Sequence, residues 1–354
     1  MIEPGSKLAP AEDDPVQSND SISVVLSLAV LALIFVSVPA YSQQSEFDRL
    51  PVEVFDVRPP SARVSGEPGE MRIEPFGCAT LGLEPARRRI VDVAVQEWGF
   101  FGFRVVDETV DEPRGRRRRF RPRPEESVRV ASSIGGYWAV TPEGDWILEN
   151  QNDAWNGRRG GGSRWRDPWS AAFVSWVMCE SGLDESDQFR RAVAHHTYID
   201  QAIRARDGGA PAAFTAHDIG DAPVLPGDLL CSGRRPAYRS LAERRQQMGE
   251  GARTHCDVVV ALDDARARIL TIGGNVRGTV SLKLMPAVRD PDVGLRPEGE
   301  ARRLFAHLQL RAAPTGPDAL IASPTLRALA CAGGSTQSRL AAAGIVSPAT
   351  GARC

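Results

Sequence analysis

Residues 167–182 read DPWSAAFVSWVMCESG, and the interpretation of the fold starts from the helix that they predict. Asp167 is a suitable N-cap, and Pro168 at the first helical position lacks an N–H that the first turn would leave unpaired. Apolar side chains then recur three and four residues apart until Gly182, a common residue at helix ends. The spacing predicts an amphipathic helix with Ser170 at its N-terminus.

The segments around this helix predict a domain of mixed α and β structure. Apolar periodicity predicts helices over 84–101 and 186–206, the second with His196 on its apolar face and His195 off it. Extended segments are predicted at 103–106, 137–140, 146–148, 229–232, 255–262, 268–275, 280–285 and 304–310. This order indicates an α+β fold over 84–313, in which N-terminal helices pack on an antiparallel sheet.

The two ends of the chain differ from this domain in composition. The uncharged apolar run 22–40, followed by small residues, predicts a signal peptide within 1–42. The acidic residues before it leave an uncleaved signal anchor as an alternative, and only that anchor would bring the protein to a membrane. Residues 43–83 are typical of a linker or loosely packed arm, and 314–354 of a low-complexity tail. The protein is expected to be exported to the periplasm or cell envelope.

Charge and cysteine content limit the classes of function. The formal net charge of −2 argues against bulk nucleic-acid binding, so no nucleic-acid partner is expected. The basic run 114–123 is interrupted by prolines and followed by acidic residues, which favours a solvated loop over a polyanion-binding patch. Six cysteines are compatible with disulfides in an oxidising compartment, and about 15 pairings are possible.

The alternating strands 255–262 and 268–275 predict a hairpin with a defined register. If apolar side chains face one another, Val258 lies opposite Ile272 and Val260 lies opposite Leu270. The same register places His255 opposite Asn275, with their Cβ atoms about 4.5–5.5 Å apart. An imidazole beside a carboxamide is an arrangement that can orient a general base.

A serine at a helix N-terminus is a candidate nucleophile, because the free N–H groups there favour developing negative charge. Ser170, His255 and Asn275 are therefore the candidate catalytic residues. Each also has a structural interpretation: a hydrogen bonder at a helix end, a surface histidine and a turn residue. Asp257, on the predicted face of His255, is a second candidate for orienting the imidazole.

Several motifs resemble those of the CHAP and NlpC-like cell-wall hydrolases, which have a papain-like fold. WSAAFVSW at 169–176 resembles their W-C-A-A-F-V-S-W motif, Pro226-Gly227-Asp228 their P-G-D turn, and 273–276 their G-G-N segment. His255 occupies the position of their histidine. More closely, 87–312 resembles a bacterial domain-of-unknown-function family (number 2272), through QEW at 96–98, PWSAAF at 168–173, HTYID at 196–200 and HCD at 255–257.

The resemblance implies an exported hydrolase of amide bonds, with peptidoglycan peptides or another peptide as the substrate. It also implies that Trp169, His196, Asp228 and Asp257 line the site. The hydrolases have cysteine where this chain has Ser170, and a hydroxyl needs an imidazole within hydrogen-bond reach. The expectation is therefore a Ser-His-Asn hydrolase or, alternatively, a catalytically inactive binding domain of the cell envelope. No metal-ligand spacing is present, and no metal or cofactor is expected.

Overall fold

The computed structural model describes residues 48–110, 124–157, 165–209, 211–235, 238–298 and 304–347. The predicted signal segment and the basic run 114–123 therefore lie outside the described residues. In the described ranges, no helix combines the length and hydropathy needed to span a bilayer.

Within the described ranges, strands form one large sheet and a small separate one. The small sheet pairs β1 (Val64–Ser65) with β2 (Arg72–Ile73). The large sheet comprises β3 (Arg104–Asp107), β4 (Phe214–His217), β5 (Leu229–Arg235), β6 (Arg253–Asp263), β7 (Arg268–Val276), β8 (Thr279–Asp290), β9 (Gly294–Pro297) and β10 (Leu304–Leu310). Its order is β3-β8-β7-β6-β5-β10-β4, and β9 pairs with β8. Within it β3 runs parallel to β8, while the other described pairs are antiparallel.

The helices of the described ranges are α1 (Val52–Phe55), α2 (Ala86–Phe100), α3 (Pro124–Trp138), α4 (Gly144–Asn156), α5 (Ser170–Glu180), α6 (His195–Arg206), α7 (Leu241–Arg245), α8 (Pro324–Ala332) and α9 (Ser335–Ala342). The main hydrophobic core joins α2, α5 and α6 to one face of the large sheet. A smaller cluster around Leu230, Val259 and Ile269 covers part of the other face. The expected α+β class is confirmed, but the sheet is mixed rather than wholly antiparallel, because β3 joins it parallel to β8.

Helix α5 differs in two respects from its sequence prediction. It begins at Ser170 with Trp169 as its N-cap, so neither Asp167 nor Pro168 caps it. It is also buried on all sides from Ser170 to Cys179 rather than amphipathic. A helix that is apolar around its whole circumference is enclosed by other elements, and here they are α2, α3 and the sheet.

The predicted strands at 137–140 and 146–148 are wrong, because α3 and α4 occupy this region. Glycines near the end of α3 allow close packing of the preceding chain. A Cβ atom on Gly136 would lie 1.8 Å from the carbonyl oxygen of Pro60. This tertiary contact, rather than local propensity, accounts for glycine within the helix.

The segment before α2 is anchored to the domain rather than loosely packed. Its Arg49 pairs with the buried Glu97 of α2 at 2.5 Å, and Arg63 pairs with Glu180 at the end of α5, also at 2.5 Å. A disulfide between Cys78 and Cys179 adds a covalent link to α5.

The region after 313 also differs from the predicted tail. Helix α8 has a regular N-cap, because the Ser323 hydroxyl accepts a hydrogen bond from the Leu326 N–H. Leu326 of α8 and Leu340 of α9 are buried in the main core. Residues 324–342 therefore belong to the folded domain.

Candidate functional site

Ser170 is held in place by the packing of α5 against β7. Gly274 of β7 lies directly under the helix, and a Cβ atom there would come 2.5 Å from the Cβ of Phe173. The glycine pair that the sequence offered as part of a hydrolase motif thus has a steric role. It lets the first turn of α5, which carries Ser170, approach the sheet closely.

The residue that contacts the Ser170 hydroxyl is His195, the first residue of α6. Ser170 Oγ lies 2.7 Å from His195 Nε2. The other ring nitrogen of His195, Nδ1, is hydrogen-bonded to the Tyr198 hydroxyl, one helical turn further along α6. Both nitrogens of this imidazole therefore have partners, and the ring is fixed in orientation.

A second serine of α5 explains why His195 arrives at this position. The Ser175 hydroxyl accepts a hydrogen bond from the Ala192 N–H at 3.0 Å and donates one to the Ala192 carbonyl at 3.1 Å. These bonds tie the extended chain before α6 to the middle of α5. The helix starts after them, at His195, rather than at 186 as the periodicity predicted.

His255 joins the site from the sheet. Its ring centroid lies 5.2 Å from that of His195, with the two rings edge to face. His255 Nε2–H donates to Asp257 Oδ1 at 2.9 Å, and Lys283 Nζ of β8 donates to Asp257 Oδ2 at 2.5 Å. Ser170, His195, His255, Asp257 and Lys283 thus form one connected group, which we call the Ser–His cluster.

Gly273 makes room for the carboxylate of this cluster. A Cβ atom on Gly273 would lie 1.9 Å from Asp257 Oδ1. Of the two adjacent glycines of β7, Gly274 therefore leaves space for α5 and Gly273 leaves space for the Asp257 carboxylate.

Burial controls the protonation of the cluster. It lowers the pKa of His195 well below the usual value, and the neighbouring His255 lowers it further. Burial likewise lowers the pKa of His255, although Asp257 opposes the shift. Burial by itself would raise the pKa of Asp257, but Lys283 and His255 together hold that pKa below its ordinary value. At neutral pH the cluster therefore contains two neutral imidazoles and one ionised carboxylate.

The pairing of β6 with β7 ends at Val258 and Ile272, before it reaches His255 and Asn275. Val258 lies opposite Ile272 as predicted, but a bulge at Val260 places Ala261 opposite Leu270. The partner of His255 is Ser232 on β5. Asn275 has a left-handed backbone with φ of 55° and lies in the irregular stretch between the Gly273–Ser281 and Val276–Thr279 pairs of β7 with β8. No hydrogen bond between described residues joins His255 to Asn275, and Asp257 occupies the orienting position instead.

Trp169, His196 and Asp228, which were expected to line the site, have other surroundings. Trp169 is buried and stacks on Tyr137 in the core, with ring centroids 5.8 Å apart. His196 is half-buried and accepts a weak hydrogen bond from the Ala252 N–H at 3.4 Å. Their direct contacts are therefore with the core and the backbone rather than with Ser170.

Asp228 belongs to a separate buried ion pair. It accepts hydrogen bonds from the Arg87 guanidinium and from His307 Nε2, each at 2.8 Å. The preceding Gly227 has a φ of 93° and lies against Arg87. The P-G-D turn therefore contacts α2 and β10, and its aspartate has a structural role.

Sequence reasoning missed His195, Tyr198 and Lys283. His195 and Tyr198 are three residues apart, a spacing that places side chains on one helical face, but the misplaced helix start concealed it. Lys283 is one of only two lysines in the chain and interrupts an apolar strand. A charged residue in such a strand usually has a buried partner, so the position of Lys283 already indicated a buried ion pair.

The side chains of the cluster also bear on metal binding. Among the residues that the structure describes, no three His, Cys, Asp or Glu side chains are arranged to hold a metal ion. The chemistry that the Ser–His cluster offers is proton transfer between a hydroxyl and a neutral imidazole.

The three comparisons with known proteins gave one match. A family model described as "Uncharacterized protein conserved in bacteria (DUF2272)" matches residues 126–304. This range covers about half of the chain and contains the whole Ser–His cluster. Neither the search of curated proteins nor the search of solved structures found a match.

Proposed function

This chain belongs to the bacterial family DUF2272, and for it we propose the activity of a serine hydrolase that cleaves amide bonds. Ser170 is the nucleophile and His195 the general base. The observation that supports this proposal is the 2.7 Å contact between Ser170 Oγ and His195 Nε2. A serine hydroxyl is a weak nucleophile until a neighbouring base accepts its proton, and this distance is within the range that such transfer requires.

The proposed reaction uses His195 twice. Ser170 Oγ attacks the amide carbonyl while its proton passes to His195 Nε2, and His195 then gives that proton to the departing nitrogen. The C–N bond breaks, an acyl ester forms on Ser170, and water releases the acid product through the same imidazole. His195 can accept the proton because its lowered pKa leaves it neutral at pH 7.

The groups around His195 favour this direction of transfer. If Nε2 accepts from Ser170, Nδ1 carries the hydrogen and donates it to the Tyr198 oxygen. Free N–H groups in the first turn of α5 favour the negative charge that develops on the attacked carbonyl. His255, oriented by Asp257, packs against His195 and is a positioning residue.

We further propose that the fold is papain-like and that the protein is exported and acts on peptidoglycan peptides in the cell envelope. The nucleophile at a helix N-terminus and an imidazole on a following strand support the fold assignment. Disulfides 78–179 and 231–256 support an oxidising compartment, where such bonds persist.

The experiment is covalent labelling with a small neutral fluorophosphonate, which phosphonylates activated serines. We expect the wild-type protein to be labelled on Ser170, and Ser170→Ala to abolish the label. His195→Gln should slow labelling at least a hundredfold, because the general base is lost. Ser338→Ala, which removes an exposed hydroxyl of α9, is the matched control. Equal labelling of wild type and Ser170→Ala would refute the proposal, and so would no labelling of a folded wild-type protein.

A non-catalytic binding domain is the second candidate, favoured by the burial of the cluster. Ser170 is 7% exposed and His195 4% exposed, so a bulky substrate has little direct access. A cavity of about 600 Å³ lies between the β6–β7 turn and the C-terminal helices, and no residue of the Ser–His cluster lines it. Ser170→Cys separates the candidates, because a thiol in an intact site should react with iodoacetamide faster than free cysteine.

A further inference from the structure

The end of the β5–β6 pair nearest His255 carries exposed arginines. Ser232 lies opposite His255, Gly233 opposite Thr254, and Arg235 opposite Arg253, with Arg234 in the bulge between the last two pairs. Arg234, Arg235 and Arg253 are all exposed. The cationic surface therefore begins two residues from the paired position of the site histidine.

These arginines differ from the structural arginines of the domain. Arg87 and Arg244, for example, are buried and form ion pairs of 2.8 and 2.7 Å with aspartates. Among the described residues, by contrast, no carboxylate lies within ion-pairing distance of Arg234, and its charge is available to a ligand.

Strand geometry allows the Arg234 side chain to reach the site, because Arg234 follows Ser232, the partner of His255, by two residues. Two residues along a strand span about 7 Å, and the side chain of arginine reaches about as far again. The Arg234 charge is close enough to act on both imidazoles. After burial and nearer charges, it is one of the smaller causes that lower the pKa of His195 and His255.

We infer that Arg234 binds a carboxylate on the substrate, next to the bond that Ser170 cleaves. The substrate class is then an acidic peptide or amide rather than a neutral one. A guanidinium group presents two parallel N–H donors that match the two oxygens of a carboxylate. This inference rests on the proposed function, because it assigns specificity to the same site.

Two fluorophosphonate probes of equal length test the inference, one ending in a carboxylate and the other in a carboxamide. Both report phosphonylation of Ser170, and their shape differs little, so the ratio of their rate constants measures recognition of the charge. We expect the wild-type protein to react about three- to fivefold faster with the carboxylate probe, the range typical of an exposed ion pair. Arg234→Gln should bring the ratio to about one, and Arg234→Lys should keep part of the preference.

Controls separate recognition from a general effect of charge. Arg72 is an exposed arginine on the separate two-stranded sheet, and Arg72→Gln should leave the ratio unchanged. The wild-type preference should decline as salt is raised from about 0.05 to 0.5 M, because exposed pairs are screened. If Arg234→Gln changes both rates equally, the arginine acts on the imidazoles and not on the substrate, and the inference is refuted.

The two proposals fail in different ways. Absence of Ser170-dependent labelling with either probe refutes the proposed hydrolase and, with it, the substrate assignment. Ser170-dependent labelling at the same rate with both probes leaves the hydrolase in place and refutes only the role of Arg234.

Discussion

Replacing Lys283 by methionine should strongly destabilise the domain at neutral pH. Lys283 and Asp257 have side chains that are 9% and 7% exposed, and their charged atoms are 2.5 Å apart. Methionine keeps most of the volume and removes the cation, which leaves a buried carboxylate with only the neutral His255 as partner. Breaking a buried pair in this way costs about 3–5 kcal/mol of unfolding free energy. Little of this figure is lost to solvent screening, because both groups are buried.

The loss should depend on pH in a defined direction. In the wild-type protein the pKa of Asp257 is lower in the folded than in the unfolded state, where it is about 3.9. The ionised Asp257 therefore stabilises the fold above about pH 3.9, and this stabilisation is lost as the pH falls through the pKa of the folded state. Without Lys283, burial dominates and raises the pKa of Asp257 above its unfolded value. The variant then gains relative stability when Asp257 binds a proton, so the gap between the two proteins should narrow from pH 7 to pH 5.

Urea unfolding followed by tryptophan fluorescence measures this gap, since the chain has seven tryptophans. Arg72→Met removes an exposed cation that has no ion-pair partner among the described residues, and should change the unfolding free energy by less than about 0.5 kcal/mol. A double variant, Asp257→Asn with Lys283→Met, should recover part of the loss. A Lys283→Met loss below about 1 kcal/mol at pH 7, or one that widens towards pH 5, would contradict the proposed electrostatics.

Three further predictions concern separate parts of the domain. Gly273→Ala should cost about 1–3 kcal/mol of stability in urea unfolding, since the new methyl group overlaps a carboxylate oxygen, whereas Gly251→Ala, with open space around it, should be nearly neutral. The rate of fluorophosphonate labelling should be constant from pH 8 down to pH 6.5 and fall only in more acidic buffer. The reason is that His195 must be neutral to act as a base and its pKa is lowered. A pH–rate profile with its midpoint above pH 6.5 would contradict this prediction. Replacing Cys78 and Cys179 together by serine should lower the unfolding free energy, measured by calorimetry or urea unfolding, by about 2–5 kcal/mol. A loss under about 1 kcal/mol would show that the segment before α2 is held in place without the disulfide.

Much of the fold could be predicted from local patterns. Helix α2 and strands β6, β7 and β10 follow the predicted segments closely, because strands and amphipathic helices have different apolar periods. Strands β5 and β8 start close to where predicted but continue to Arg235 and Asp290. The Val258–Ile272 pair was also predictable, since apolar side chains must share a face. The prediction of two strands near residue 140 was wrong. The glycines there allow α3 to pack closely against Pro60, a long-range contact that the local sequence pattern does not reveal.

The sequence by itself determined that the protein is an α+β domain, that Ser170 stands at a helix N-terminus and that His255 and Asp257 share one strand. These features depend on residues that are near one another in the chain. Tertiary structure alone decided that His195 is the partner of the hydroxyl, that Asp257 replaces Asn275 beside His255, and that Lys283 completes the cluster. The end of β6–β7 pairing at Val258–Ile272, the hydrogen bonds between Ser175 and Ala192, and the pairing of β7 with β8 produce those contacts. Each depends on contacts between separate elements, which the local sequence pattern does not specify.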